Sequence, residues 1–309
     1  MTPSPASAPT DAQIGMDIGG SKTAAVVLDA QGNVEDSLVV PTAPGIENVL
    51  DTAAQLVVTL AERTGRSTRD FTSIGVGVPG QVERETGMLR NSYNIGIEEL
   101  ALGPILSERT GIPVLVDNDV TAAAIGAAHL LGLTGTVAYL NLGTGLAAGF
   151  VINGQPLRGA AGLAGEIGHL PISELRRACP CGQIGCLETA ASGSALKTYW
   201  PAGGDHPGRV LISAIEAGDE GAKAALENLI EGAASAIRVL GLSLDPDPLV
   251  IGGGLRMIGA PLIDGIRGRL REWEAESPFF AQLQMSERLQ VLPEDSEAAA
   301  VGAAISSAS

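Results

Sequence analysis

The sequence predicts an α/β protein. Three observations carry that expectation. Short β-rich runs alternate with longer segments whose apolar residues recur at helical spacing. Three glycine-rich loops each follow a buried run. A strand, glycine turn, strand unit at residues 13–30 is echoed after Gly135, as two related halves would produce. A chain of 309 residues also suggests two domains, at roughly 100–200 residues each.

The elements follow in order. Gln13–Ile18 is a strand that enters the loop Gly19-Gly20-Ser21-Lys22, and Thr23–Ala30 is β-rich. Gln31-Gly32-Asn33 is a turn, and Val34–Pro41 completes an antiparallel meander. Ile46–Arg63 carries a helical stripe (Val49, Leu50, Ala53, Val57, Leu60) and is closed by Gly65 at C′. Phe71–Pro79 reads as a buried strand, Leu100–Thr110 as a helix, Val114–Val116 as a strand and Asp119–Leu131 as an Ala-rich helix. Thr136–Leu142 and Leu146–Asn153 are strands around Gly143-Thr144-Gly145. After a cysteine-bearing loop come helices at 207–217 and 219–242, then a strand, Pro248–Ile251, that ends in Gly252-Gly253-Gly254. A helix (259–275), a strand (289–292) and a last helix (297–307) finish the chain.

Composition narrows the function. Hydrophobic residues at 45% and charged residues at 17% exclude a disordered chain. Aromatics at 3% require a core of Ala, Val, Leu and Ile. With 19 basic and 35 acidic residues the net charge is −16, and no Lys/Arg cluster offers a nucleic-acid footprint. An acidic surface also disfavours anionic membranes. The longest apolar stretch, Ala122–Leu133, contains His129 and falls short of the about 20 residues of a membrane span. Residues 1–13 lack the apolar core of a leader and read as a tail, so a cytoplasmic protein is expected.

The strongest chemical signal is His169-x9-Cys179-x-Cys181-x4-Cys186. Three thiolates and an imidazole make a closed tetrahedral zinc site, with no open position for water, so the zinc is expected to be structural. Three buried cysteines acting as small hydrophobes are the plain alternative. A zinc deaminase would need His-x-Glu and Pro-Cys-x-x-Cys, which are lacking here.

Asp17-Ile18-Gly19-Gly20-Ser21-Lys22 lies at a strand–turn–strand. Its glycines let backbone N–H groups approach phosphate, Ser21 and Lys22 add donors, and Asp17 is placed to hold a Mg²⁺-bound water. It is not a Walker A loop, which opens a helix. Such a hairpin alone is commonly just a turn. Gly143-Thr144-Gly145 and Gly252-Gly253-Gly254 repeat the feature, which points to a nucleotide. Gly75-Val76-Gly77-Val78-Pro79-Gly80 matches the dinucleotide fingerprint, yet residues 81–87 have no helical stripe. Pro79-Gly80 is better read as a tight loop lining a small-molecule pocket.

In Val116-Asp117-Asn118-Asp119 a buried strand delivers polar residues to a helix start. Asp119 reads either as the N-cap or as a base accepting a proton from a substrate hydroxyl. Glu166, His169 and Glu188 bracket the cysteine loop. With His169 held in one orientation by the metal, the flanking carboxylates read as hydroxyl acceptors, or as an ordinary helix-start charge (Glu166) and a solvated loop charge (Glu188).

Together these residues resemble the ROK family of sugar kinases and repressors, over residues 13–307. The zinc signature resembles Gly168-His169-x9-Cys179-x-Cys181-Gly182-x2-Gly185-Cys186-x-Glu188, matched at every fixed position. The resemblance implies two actin-like (ribonuclease H-like) α/β domains with a cleft between them. The expected domains are a smaller one, 13–118 plus the returning helix 297–307, and a larger one, 119–296, holding the zinc loop 169–188, after a tail at 1–12. It implies nucleotide binding by Asp17, Gly19, Gly20, Ser21, Lys22, Gly143, Thr144, Gly145, Gly252, Gly253 and Gly254. It implies Asp119 as catalytic base, and sugar binding by Gly80, Asn91, Asn118, Asp119, Glu166, His169 and Glu188. The cofactors implied are structural Zn²⁺ and Mg²⁺ with ATP. The expected reaction is phosphorylation of a hexose hydroxyl, glucose O6 first. N-acetylmannosamine, N-acetylglucosamine and fructose are alternatives, as are a polyphosphate donor and a non-catalytic sugar sensor. Repressors of the family carry an N-terminal helix-turn-helix. Only 12 residues precede the strand expected from Gln13, so a repressor is not expected. The expected partners are the sugar, ATP and further copies of the chain in a homodimer or homotetramer, with no nucleic acid or membrane.

Overall fold

The computed structural model describes residues 11–308. The expected tail at 1–12 therefore lies outside the described residues, except for Asp11 and Ala12, and Ala12 already opens the first strand. Among the described residues the chain forms two units. The first is built from the chain up to Gly132, Arg158–Leu163 and the C-terminal segment from Glu297; the second is Leu133–Leu157 and Ala164–Ser296.

In the first unit, β1 (Ala12–Ile18), β2 (Lys22–Leu28) and β3 (Val34–Pro41) form the antiparallel meander. Helix α1 (Ile46–Arg63) buries Val49, Leu50, Ala53, Leu56, Val57, Leu60 and Ala61, one stripe at helical spacing. It ends in a Schellman motif: Gly65 has φ 66°, its N–H donates to Glu62 O, and Arg66 N–H donates to Ala61 O at 2.8 Å. Then come β4 (Phe71–Val78), β5 (Gln81–Glu83), β6 (Met88–Ser92), β7 (Ile97–Leu100), α2 (Leu102–Thr110), β8 (Val114–Asn118) and α3 (Asp119–Leu130). The main sheet has the order β3-β2-β1-β4-β8, with β4 and β8 parallel to β1. Strands β5, β6 and β7 form a separate small sheet. Gly80 leads into β5 rather than a helix, so the dinucleotide fingerprint has no helix to open.

The second unit contains β9 (Thr136–Leu142), β10 (Leu146–Ile152), β11 (Gln155–Pro156), α4 (Gly193–Tyr199), α5 (Pro207–Glu216), α6 (Glu220–Leu244) and β12 (Leu249–Gly252). It continues with α7 (Ala260–Glu276), α8 (Pro278–Ala281), α9 (Met285–Arg288) and β13 (Leu289–Val291). Its sheet has the order β11-β10-β9-β12-β13, antiparallel on the β10 side and parallel on the β12 side. That is the order and direction of the first sheet, strand for strand. The echo read in the sequence is therefore a repeated topology.

Helix α10 (Ala298–Ser307) belongs to the first unit. It approaches the sheet and α3 at backbone distance. A Cβ on Gly15 or Gly75 would lie within 1.9 Å of the Ala300 or Ala303 carbonyl oxygen, and one on Gly126 within 1.8 Å of Ala298 O. This contact corrects the expected boundary at 118/119. Helix α3 packs on α10 through Ala and Gly faces, and the first unit runs on to Gly132.

Candidate functional site: loops at the strand ends

Register places the key residues of the first unit in one row. Asp17 of β1 pairs with Gly77 of β4, which pairs with Asp117 of β8. All three lie near the C-terminal ends of parallel strands, where open α/β sheets bind ligands. The turn after β1 is closed by Gly19 N–H donating to Lys22 O at 3.0 Å, leaving Gly20, Ser21 and Lys22 exposed. A Cβ on Gly20 would come 3.1 Å from Asn94 O, so the need for glycine here is space, not a positive φ. Burial pushes the Asp17 carboxyl up to about 7; Asp119 and Glu297 add repulsion, and Lys22 opposes them. Lys22 also pairs with Glu297 at 3.5 Å.

The cap of α3 corrects one reading of Asp119. Asn118 Oδ1 accepts from Val120 N–H at 3.0 Å and Thr121 N–H at 3.2 Å, so Asn118 is the N-cap and Asp119 is the first helical residue. Asn118 Nδ2 faces Gly80 O at 3.5 Å. Gly80 has φ 113°, and a Cβ there would lie 2.8 Å from Arg90 O. Asn91 is exposed at φ 56°, donating to Gln81 Oε1 and accepting from the Tyr93 hydroxyl.

In the second unit the other two glycine loops are neighbours. Gly252 pairs with Asn141, and a Cβ on Gly253 would fall 2.4 Å from the Leu142 carbonyl. The Gly143-Thr144-Gly145 turn is braced by α4, whose Gly193 and Ser194 N–H groups donate to Gly143 O and Thr144 O. Glu188 Oε2 accepts from Leu146 N–H at 3.0 Å, just after that turn. Arg256, which the sequence reading missed, donates to four backbone carbonyls (Gly253, Leu292, Pro293 and Glu294) and so fixes the third loop. A lone arginine after Gly-Gly-Gly gives no sequence signal of that role.

The ligand atoms of His169, Cys179, Cys181 and Cys186 all lie within 4.8 Å of one another. Cys179 Sγ is 3.8 Å from His169 Nδ1, and Cys181 Sγ is 3.6 Å from Cys186 Sγ. A tetrahedron with Zn–S bonds of about 2.3 Å has edges of about 3.8 Å, so the cluster fits zinc. Backbone and side-chain hydrogen bonds from Gln183 hold the Cys181 thiol down at about 6, ready to ligate as thiolate, while burial pushes Cys186 up to about 12. With Nδ1 toward the thiols, His169 Nε2 faces Glu166 Oε2 at 3.9 Å. Glu166 is raised above the usual carboxylate range, first by burial and then by Glu188, with His169 opposing. The structure thus gathers Glu166, His169 and Glu188 beside the cysteine cluster.

Residues 13–306 match the ROK family. The chain belongs to the ROK family. Among ROK relatives, a glucokinase of Halalkalibacterium halodurans is 32% identical over 280 residues, covering 82% of this chain and 83% of that one. An N-acetyl-D-glucosamine kinase of Escherichia fergusonii is 34% identical over 256 residues, covering 78% and 83%. Among solved structures, a ROK family glucokinase from Streptomyces griseus in complex with glucose and AMPPNP superposes with TM-score 0.78 at 29% identity, covering 96% of this chain and 99% of that one. With these ROK neighbours the two repeated α/β units are the actin-like ATPase fold. No helix among the described residues is long and apolar enough to cross a membrane.

Proposed function

We propose that this ROK protein is an ATP-dependent hexose kinase, with glucose as first substrate. The observation that carries the reading is the start of α3. Asn118 caps the helix and Asp119 follows it as the first helical residue, at the end of β8, where the base is placed in this reading. Asp119 accepts the proton of a sugar hydroxyl, O6 in glucose, as that oxygen attacks the γ-phosphorus of ATP. The bond from γ-phosphorus to the bridging oxygen breaks, and ADP leaves. Gly19, Gly20, Ser21 and Lys22, with Gly143, Thr144 and Gly145, donate to the phosphates, and Gly252–Gly254 take the adenosine side. Asp17, with a carboxyl poised near 7, would hold Mg²⁺ through water, and Mg²⁺ would neutralise phosphate charge. His169, Cys179, Cys181 and Cys186 would hold Zn²⁺ and keep the His169 ring fixed. Glu166 and Glu188 then accept from ring hydroxyls and His169 Nε2–H donates to one, with Asn91 and Gly80 completing the sugar contacts.

The N-acetyl-D-glucosamine kinase relative favours one second reading, an N-acetylhexosamine as acceptor. N-acetylmannosamine and fructose follow. A coupled ADP-release assay on a panel of hexoses, epimers and deoxy-sugars tests the assignment in wild type and Glu188→Gln. The proposal expects the variant to change the ranking of sugars, because an acceptor that loses its hydroxyl partner costs about 1–3 kcal/mol. An identical ranking removes Glu188 from the sugar site.

A further inference from the structure

Asp117 is a buried carboxylate with no part in the phosphoryl transfer described above. It accepts from Arg158 Nε at 3.2 Å and from Arg158 Nη2, and from Ser306 Oγ at 3.2 Å. Arg84 Nε stands 3.8 Å away; it is buried without a hydrogen-bond partner and is held by charge. Arg84 Nη2 donates to Ser306 O at 2.8 Å. Four stretches of chain therefore meet at one carboxylate: the end of β8, the turn between β5 and β6, the segment from Arg158, and the end of α10.

Three of these stretches run directly into residues assigned to the sugar. Asp117 precedes Asn118 and Asp119, and its Oδ1 accepts from Asn118 N–H at 3.0 Å. Arg84 sits between Gly80 and Asn91. Arg158 opens the run Arg158-Gly159-Ala160-Ala161-Gly162-Leu163-Ala164-Gly165 that ends at Glu166. That run holds three glycines at positive φ (77°, 70° and 98°), so unanchored it would sample many conformations. Its far end is fixed by Gly165, whose carbonyl accepts from Ala148 N–H at 2.8 Å. Its near end is fixed by Arg158 on Asp117.

We propose that Asp117 and Arg158 are positioning residues for sugar binding: their ion pair, buried on the Asp117 side, anchors the 158–165 run and so presets Glu166. The inference rests on the kinase reading. Neither residue touches the substrate. The anchor removes loop freedom before the sugar arrives, which lowers the ordering cost of binding.

Arg158→Ala, Arg158→Lys and Asp117→Asn test this by steady-state kinetics and hydrogen exchange. The expected result for Arg158→Ala is a sugar KM raised roughly 3- to 30-fold, the usual span of such indirect coupling. ATP KM and kcat stay within about threefold, because the interaction serves sugar binding alone. Arg158→Lys, which keeps the charge, recovers part of the loss. Amide exchange rises in residues 158–166 and not across the first unit. Should Asp117→Asn fail to fold, the two Arg158 variants carry the test, since Arg84 still faces Asp117 in them. Unchanged sugar KM in both Arg158 variants of an active enzyme overturns the positioning role alone. A wild type that phosphorylates no hexose overturns the kinase reading, and this role with it.

Discussion

In the proposed reaction Asp119 and Asp17 carry the chemistry, and both make measurable claims. Replacing Asp119 by Asn leaves the Asn118 cap intact. We therefore expect Asp119→Asn to melt no lower than wild type, since it also relieves the repulsion on Asp17, and to keep its sugar affinity. Its kcat should fall by roughly 10²- to 10⁴-fold, the scale of a lost general base. Equilibrium sugar binding and initial rates check the two halves separately. Asp17 has a folded-state carboxyl raised to about 7, above its unfolded value of 3.8. The folded chain thus holds a proton that the unfolded chain releases. The stability this gives is full below the unfolded value and is lost as pH rises through about 7. Without added Mg²⁺ or nucleotide, Asp17→Asn should melt above wild type by a margin that widens from pH 5 to 7 and then levels off. Thermal melts across that range measure the margin. A constant margin would mean that Asp17 is not the titrating group.

At the scale of elements, the zinc loop and α10 are the parts whose packing decides function and stability. One zinc per chain is expected, read by elemental analysis of protein purified without chelator. Cys181→Ala should lose it and weaken sugar binding, because a bound metal would hold the ring of His169 beside Glu166. Gly126→Ala should destabilise by about 1–3 kcal/mol, since its Cβ would lie 1.8 Å from the backbone oxygen of Ala298. Chemical denaturation checks it. The long elements were legible because each carries a full stripe: the structure returns α1 at 46–63 as read. Strands β5, β6 and β7 were not. They are three to five residues long, with exposed Gln81, Glu83, Arg90 and Glu99 where a run would need apolar alternation. The boundary at 118/119 was misplaced because the partner of α3 lies some 180 residues downstream in α10 (302 − 122 = 180), joined through Gly302 against Ala122 O. Local pattern carries no trace of such a contact. In the site, the cysteine cluster and the glycine loops were legible from spacing. The Asp117–Arg158 pair was not, because its members stand 41 residues apart.

For the whole molecule, a −16 charge and two repeated sheets still leave one claim to settle, the transfer of phosphoryl from ATP to a hexose. Sugar-dependent ADP release by wild type and Asp119→Asn, measured side by side with Mg²⁺-ATP and a hexose panel led by glucose, tests it most directly. The account predicts ADP formed in step with a phosphorylated hexose by wild type, and near-complete loss of both in the variant while sugar still binds. ADP release that no hexose stimulates, or a variant as fast as wild type, would contradict it.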